Sequence, residues 1–415
     1  MLYGYKSAIF LVLIFGLAAC SKVSNNNGLS ATEDVPQSTA SVPSGETPTI
    51  LPTDTLAPTA TFLPSDAPPR SALNEFTTDF SKHSVSYDEI LSGGPPKDGI
   101  PAIDDPKFVS VNEADDWLQD REPVIFVEAD GKARAYPIQI LMWHEIVNDT
   151  LAGLPLTVTF CPLCNTAIAF ERTVNGQVLD FGTTGRLRFS NLIMYDRQTE
   201  TWWQQATGDA IVGELLGTQL DYYPAQIISW QDFKNQYPDG SVLSRETGHP
   251  RDYGRNPYAG YDDINQSPFL FRGDPTPGQL LPMERVLTLE LNGEAVAYPY
   301  QVLSEVSVVN DTVGGEPVVI VWVEGTASAL DAGSVSGGRD VGTAAAFSRL
   351  LEGDVLEFTH DGNTIVDTKT GSTWNVLGHA VSGQLAGNQL LQFVSINHFW
   401  FSWAAFQPET RIYQP

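Results

Sequence analysis

The chain has 415 residues, 50 Asp and Glu against 23 Lys and Arg, and a formal net charge of −27. That length allows two or three domains, or one large duplicated one, and 42% hydrophobic residues with 28 prolines describe a globular body with irregular stretches. The acidity argues against a nucleic-acid partner, because no positive field offsets phosphate repulsion, and without heptads or Gly at every third position neither coiled coil nor collagen fits.

Lys6 precedes the apolar run from Ile9 to Phe15, which leads into Leu17-Ala18-Ala19-Cys20. A short positive segment, an apolar run too short to span a membrane as a mature helix, and small residues before the cut describe a signal peptide over 1–19. The Leu-Ala-Ala-Cys ending resembles the lipobox of bacterial lipoproteins, which implies cleavage before Cys20 and its acylation, palmitate included. An ordinary signal peptide with an incidental cysteine is the alternative. No later stretch approaches 18 consecutive apolar residues, so a lipid anchor at the extracytoplasmic face of the cell membrane is expected to hold an otherwise soluble protein. Residues 20–72 follow as a disordered tether, rich in Ser, Thr and Pro and too polar to offset its ordering entropy.

The remainder contains an internal repeat. Gly131-Lys-Ala-Arg-Ala-Tyr136-Pro137 is echoed by Gly293-Glu-Ala-Val-Ala-Tyr298-Pro299, at an offset of 162. Asn148-Asp149-Thr150 returns as Asn310-Asp311-Thr312, Asp196 and Trp203 as Asp367 and Trp374, and Gly208, Gly213 and Gly217 as Gly378, Gly383 and Gly387. Matching blocks over 121–240 and 283–413 predict two copies of one unit, the first within 73–240 and the second within 283–415, joined by a Tyr-rich connector over 241–282.

Local patterns make the unit mainly β with short α-helices, an α+β fold whose copies pack as a pseudo-symmetric pair. Thr157–Phe160 and Val318–Trp322 read as buried strands. Ile168 to Phe181 reads as a hairpin across Asn175-Gly176, and Asn191–Asp196 and Thr199–Trp203 as strands around a polar turn. Ile138 to Ile146, entered through Pro137, and Trp230 to Tyr237 suit short helices.

Duplication supplies an internal control. Residues kept in both copies, such as Tyr136, Asn148, Asp149 and Trp203, fit shared architecture. Cys161-Pro162-Leu163-Cys164 has no counterpart, and His144-Glu145 faces Val306-Ser307. A longer first-copy loop, Gly182 to Asn191, brings Arg186 and Ser190, residue types of an anion-facing loop. A Cys-x-x-Cys pair can chelate a soft metal with His144 as a nitrogen ligand, cycle between dithiol and disulfide, or form an inert disulfide. The hairpin that follows it, in place of a helix, weakens a thioredoxin-like reading. Met194 on a strand fits core filling better than copper ligation, and His360, His379 and His398, lacking tight ligand spacing, fit surface or hydrogen-bonded core positions.

Ala135-Tyr-Pro, His144-Glu145-Ile-Val-Asn-Asp149, Val158-Thr-Phe-Cys161-Pro-Leu-Cys164-Asn165, Leu192-Ile-Met-Tyr-Asp-Arg197 and Phe399-Trp-Phe-Ser-Trp403 together resemble the prokaryotic family of domain of unknown function 3179. The stretch from Arg251 to Tyr261 is similar to its signature between the halves. The resemblance covers about 75–413 and implies one unit with the Cys-Pro-Leu-Cys and His-Glu motifs intact, but no particular reaction.

The leading expectation is therefore a site of Cys161, Cys164 and His144 that binds a transition metal (copper, zinc or iron) or performs thiol redox chemistry with a small-molecule or protein partner. Glu145, Asn148, Asp149 and Asp196 would support it, and Arg186, Ser190, Tyr253 and Tyr258 would contact substrate. The rival is a non-catalytic ligand-binding lipoprotein with a structural Cys161–Cys164 disulfide, in which Tyr253, Tyr258, Tyr261, Trp202 and Trp203 form the ligand surface. The connector reads as an ordered linker in preference to a lid over the first copy.

Overall fold

Alternation of side chains along the strands places two hydrophobic cores on opposite faces of one hairpin. In Pro123–Ala129, Ile125 and Val127 face one core while Val124 and Phe126 face the other. The structure, a computed structural model, describes residues 66–273, 279–361 and 364–415, all within a unit running from Phe62 to Pro415. The expected lipidation at Cys20, the expected signal peptide and the expected tether up to residue 65 lie outside the described residues. The fold is mainly β, and among the described residues no α-helix exceeds seven residues. None is long and apolar enough to cross a membrane.

In the first half, Pro123–Ala129 pairs with Lys132–Pro137, flanked by antiparallel Gln226–Ser229 on one side and parallel Ser241–Leu243 on the other. In the second half, Arg285–Leu291 pairs with Glu294–Pro299, flanked by antiparallel Ser395–Phe399 and parallel Arg411–Ile412. Each hairpin feeds a seven-residue helix, Ile138–His144 or Tyr300–Val306. Pro137 and Pro299 stand one position before these helices, so the chain enters each with a pre-set φ. Each helix stops at a residue with φ of 59°, Glu145 in one half and Ser307 in the other.

A three-strand meander follows in each half: Ile146–Leu151, Leu154–Cys161 and Thr166–Glu171, and Val308–Val313, Glu316–Val323 and Thr343–Ser348. The turn at Asn175-Gly176 has two positive φ values, as a type I′ hairpin requires, but joins only Thr173–Val174 to Gln177–Val178. Phe181 instead opens the next sheet. There the expected loop is absent, because Phe181–Arg188 is a strand paired with Asn191–Asp196, with a bulge between Thr183 and Arg186. Its second-half counterparts are the shorter Phe358–Asp361 and Thr364–Asp367.

The same buried polar contacts recur in both halves. Tyr136 donates to Asp149 at 2.6 Å and Tyr298 to Asp311 at 2.8 Å. Asn148 bonds both backbone groups of Phe181, and Asn310 both those of Phe358. Asp196 accepts from Trp203 Nε1 at 2.9 Å, as Asp367 does from Trp374 at 3.2 Å. One core joins Val124, Phe126 and Trp230 to Val319, Phe347 and Trp374, so the halves share an interior. The end of the stretch read as tether also belongs to the body: Ala72 is fully buried with Phe76, Tyr195 and Trp202.

Candidate functional site

Cys161 ends one strand and pairs with Thr166 at the start of the next, so Pro162 to Asn165 must turn tightly. Cys164 N–H bonds back to the Cys161 carbonyl at 3.2 Å, and Asn165 takes a φ of 52°. The turn is closed by a Cys161–Cys164 disulfide with a Cα–Cα distance of 5.3 Å, and both cysteines are buried. A second tight turn covers it: Phe189 and Ser190, both with positive φ, bring the Ser190 carbonyl 3.5 Å from Cys164 Sγ. Two non-glycine residues in this region cost on the order of 1 kcal/mol each, which the surrounding packing must offset.

His144 points elsewhere. Its Nδ1 lies 2.7 Å from the Pro101 carbonyl, which can only accept, so Nδ1 carries the proton and Nε2 the lone pair. That lone pair accepts from the Tyr253 hydroxyl at 2.6 Å, and Tyr253 in turn faces Thr247 Oγ1 at 2.5 Å. Burial pushes His144 down to about 4, so the ring is neutral. A metal held by Cys161, Cys164 and His144 does not fit this arrangement, since the sulfurs are bonded to each other and the imidazole lone pair to Tyr253. Among the described residues no group of three or more His, Cys, Asp or Glu is placed to hold an ion.

The residues expected to orient His144 have other partners. Asn148 holds Asp104 and the Phe181 backbone, Asp149 holds Tyr136 and Arg134, and Asp196 holds Thr199 and Trp203. Arg186 is also committed: its guanidinium pairs with Glu75 at 3.1 Å and bonds Ser71 at 3.0 Å. It anchors the segment before the first half, a duty at odds with binding a free anion. Trp202 and Trp203 are fully buried and form no ligand surface, and Met194 is core.

What the fold does assemble is a cavity of about 440 Å³. Its walls come from the segment around Pro95 and Ile100, from Leu163 at the tip of the disulfide turn, from Thr183 to Leu187, and from Tyr258, Tyr261 and Phe269 of the connector. The connector is therefore a wall of the site rather than a linker beside it. Gly185 permits the first contact: with φ of 69°, a Cβ there would meet the Pro95 carbonyl oxygen at 2.0 Å. Glu145 also lines the cavity. Its carboxyl is buried, makes no hydrogen bond among the described residues, and is pushed up to about 8 by desolvation. At neutral pH it is mostly a neutral acid, able to donate. Tyr258, whose phenol burial shifts upward, lies within electrostatic reach of Glu145.

Sequence reasoning placed Glu145 beside the site but in a supporting part. The available signal was that Ser307 holds the same backbone position, so the fold does not need the carboxylate. Leu163, Phe269 and the Pro95–Ile100 segment were missed, and the last carries no repeat signal because it precedes the matching blocks.

Fold and site thus define a mainly β protein with an aromatic-walled cleft beside a buried disulfide. The chain matches the family model described as Protein of unknown function (DUF3179) over residues 97–410, and it belongs to that family. No curated protein and no solved structure matches it.

Proposed function

We propose that this is an extracytoplasmic protein, lipid-anchored through Cys20, that binds a small neutral molecule in the Glu145 cleft without turning it over. The Cys161–Cys164 disulfide braces the wall that carries Leu163. The observation that carries this reading is Glu145 itself, an uncompensated buried carboxyl facing a largely apolar cavity. A ligand carbonyl or ether that accepts its proton would satisfy it, while an anion would meet, among the described residues of the wall, only Arg186, whose charge already faces Glu75. We read the two halves as copies of one unit, supported by the matching strand orders and the three repeated buried contacts, with the buried acid in the first copy, where the second has Ser307.

A neutral, carbonyl-bearing fluorescent probe, 6-propionyl-2-(dimethylamino)naphthalene, tests the reading. Saturable binding with a blue-shifted emission is expected. Affinity should fall as pH rises through about 8, when the carboxyl loses the proton it donates, and Glu145→Leu should abolish that dependence. No saturable binding, or the same pH profile in Glu145→Leu, would refute it.

Thiol redox chemistry is the second reading, favoured by the position of Leu163 between the sulfurs and the cleft. It would require a partner dithiol to pass two electrons and two protons to Cys161 and Cys164 while becoming a disulfide itself. Burial of both cysteines opposes direct approach by a protein thiol.

A further inference from the structure

The backbone of Glu145 is fully used within the fold. Its N–H donates to the Leu141 carbonyl at 2.7 Å, and its own carbonyl accepts from the Phe160 N–H at 2.8 Å. Ser307 makes the same pair of bonds in the second half, to Leu303 and from Trp322, both at 2.7 Å. The Glu145 side chain is therefore aimed by a backbone arrangement that holds equally well without a carboxyl.

Glu145 is only 8% exposed, yet both carboxyl oxygens keep accessible surface, and neither meets a hydrogen-bond partner among the described residues. The residue lines the cavity of about 440 Å³, within the range of about 300–1,000 Å³ usual for small-molecule sites. No charged neighbour sets its protonation, because desolvation alone raises it to about 8. Arg186 in the same wall faces Glu75, and His144 beside it is neutral. Tyr258 and Tyr261 are phenols that burial also shifts upward.

A protonated carboxyl is a donor and an acceptor side by side, since its O–H donates while its C=O still accepts. A ketone or ether takes up the O–H alone and leaves the acceptor bare in an apolar site. Satisfying both oxygens calls for an N–H and a C=O on one edge of the ligand. Ordinary secondary amides are trans and point these groups in opposite directions. A primary amide turns both toward the acid but brings a second N–H that needs another acceptor. A lactam ring holds N–H and C=O cis and has no spare donor. Flat ring faces also suit the walls formed by Tyr258, Tyr261 and Phe269, with Leu163, Leu187 and Leu192 around them. We propose, resting on the binding reading of the Glu145 cleft, that its ligand is a planar lactam, whose C=O accepts from the Glu145 O–H while its N–H donates to the other carboxyl oxygen.

2-Quinolone and coumarin differ at one position, an N–H in the first and a ring oxygen in the second, so the pair isolates the second bond. Titrated into the full chain below neutral pH, 2-quinolone should bind about tenfold more tightly, as expected for one added hydrogen bond. As pH rises through about 8, coumarin loses its only donor, while 2-quinolone keeps an N–H to the carboxylate and should weaken less. Glu145→Gln, whose amide also sets a donor beside an acceptor, should keep the preference and lose the pH dependence. Glu145→Leu should bind the two alike. Equal affinities in the wild-type chain, or a preference that survives in Glu145→Leu, would overturn the lactam and leave the binding reading standing. So would failure of both to bind where the naphthalene ketone does. If the ketone itself does not bind, the cleft reading falls and the lactam falls with it.

Discussion

The Tyr253 hydroxyl donates to Nε2 of His144 across 2.6 Å, which ties the connector between the halves to the last residue of the helix Ile138–His144. The bond fixes the imidazole tautomer and sets Tyr258 and Tyr261, a few residues on, into the cavity wall. Tyr253→Phe removes the donor and leaves Nε2 unsatisfied. A loss of about 1–2 kcal/mol in denaturant unfolding is expected, with probe affinity in the Glu145 cleft reduced as well. Unchanged stability and affinity would show that the connector is held by its apolar contacts alone.

His144 and Glu145 are adjacent but act oppositely on stability as pH changes. The folded value for His144 lies near 4, below the ordinary 6.5, so the unfolded chain binds a proton first as pH falls. Its contribution is therefore present above about 6.5 and is lost toward about 4. Glu145 is raised from about 4.5 to about 8, so the unfolded chain loses its proton first and stability declines as pH rises across that window. Glu145→Gln should abolish the second effect. Denaturant midpoints at pH 5 and pH 9 should show the variant gaining on the wild type at the higher pH, by on the order of a few kcal/mol. Parallel pH profiles for the two proteins would contradict the buried, uncompensated acid.

Tyr136→Phe and Tyr298→Phe remove the same hydroxyl-to-carboxylate bond from the two halves. If the halves are copies with a shared architecture, each substitution should cost about 1–3 kcal/mol, as bonds to charged groups do. A cost in one half only, measured by chemical unfolding, would set the two contacts apart. An experimental structure in which 121–240 and 283–413 fail to superpose strand for strand would remove the duplication outright.

Much of this architecture could be read from the chain, because a strand reports itself through local side-chain choice. Alternation and apolar runs found Leu154–Cys161 and Glu316–Val323, Pro137 marked the helix Ile138–His144, and Asn175-Gly176 marked its turn. The site was less legible. His144 and Cys161 are close in sequence, and proximity along the chain suggested a shared ligand. A helix end can turn a side chain either way, however, and Pro101 and Tyr253, 43 and 109 residues distant, decide the direction. Arg186 misled for a related reason. Its glycine-rich setting resembled an anion loop, while its partners Ser71 and Glu75 stand more than 100 residues away.

Arg186→Ala should therefore act on folding rather than on anion recognition. Glu75 would lose its charged partner and keep only the Lys97 N–H at a partly buried site, and a cost of about 1–3 kcal/mol is expected, with faster amide exchange at 71–76. A stable variant that had lost affinity for inorganic phosphate would restore the anion-binding reading.

The covalent state of Cys161 and Cys164 decides between a braced cleft and a metal or redox centre. Protein purified from its native source should be unfolded without reductant, alkylated, and its peptides and metal content measured. Both cysteines should be found unmodified and joined to each other, with no stoichiometric zinc, copper or iron. Without denaturant, they should resist reduction by a soluble dithiol, because both are buried. Free, alkylated Cys161 and Cys164 accompanied by one equivalent of metal would contradict a disulfide-braced binding cleft.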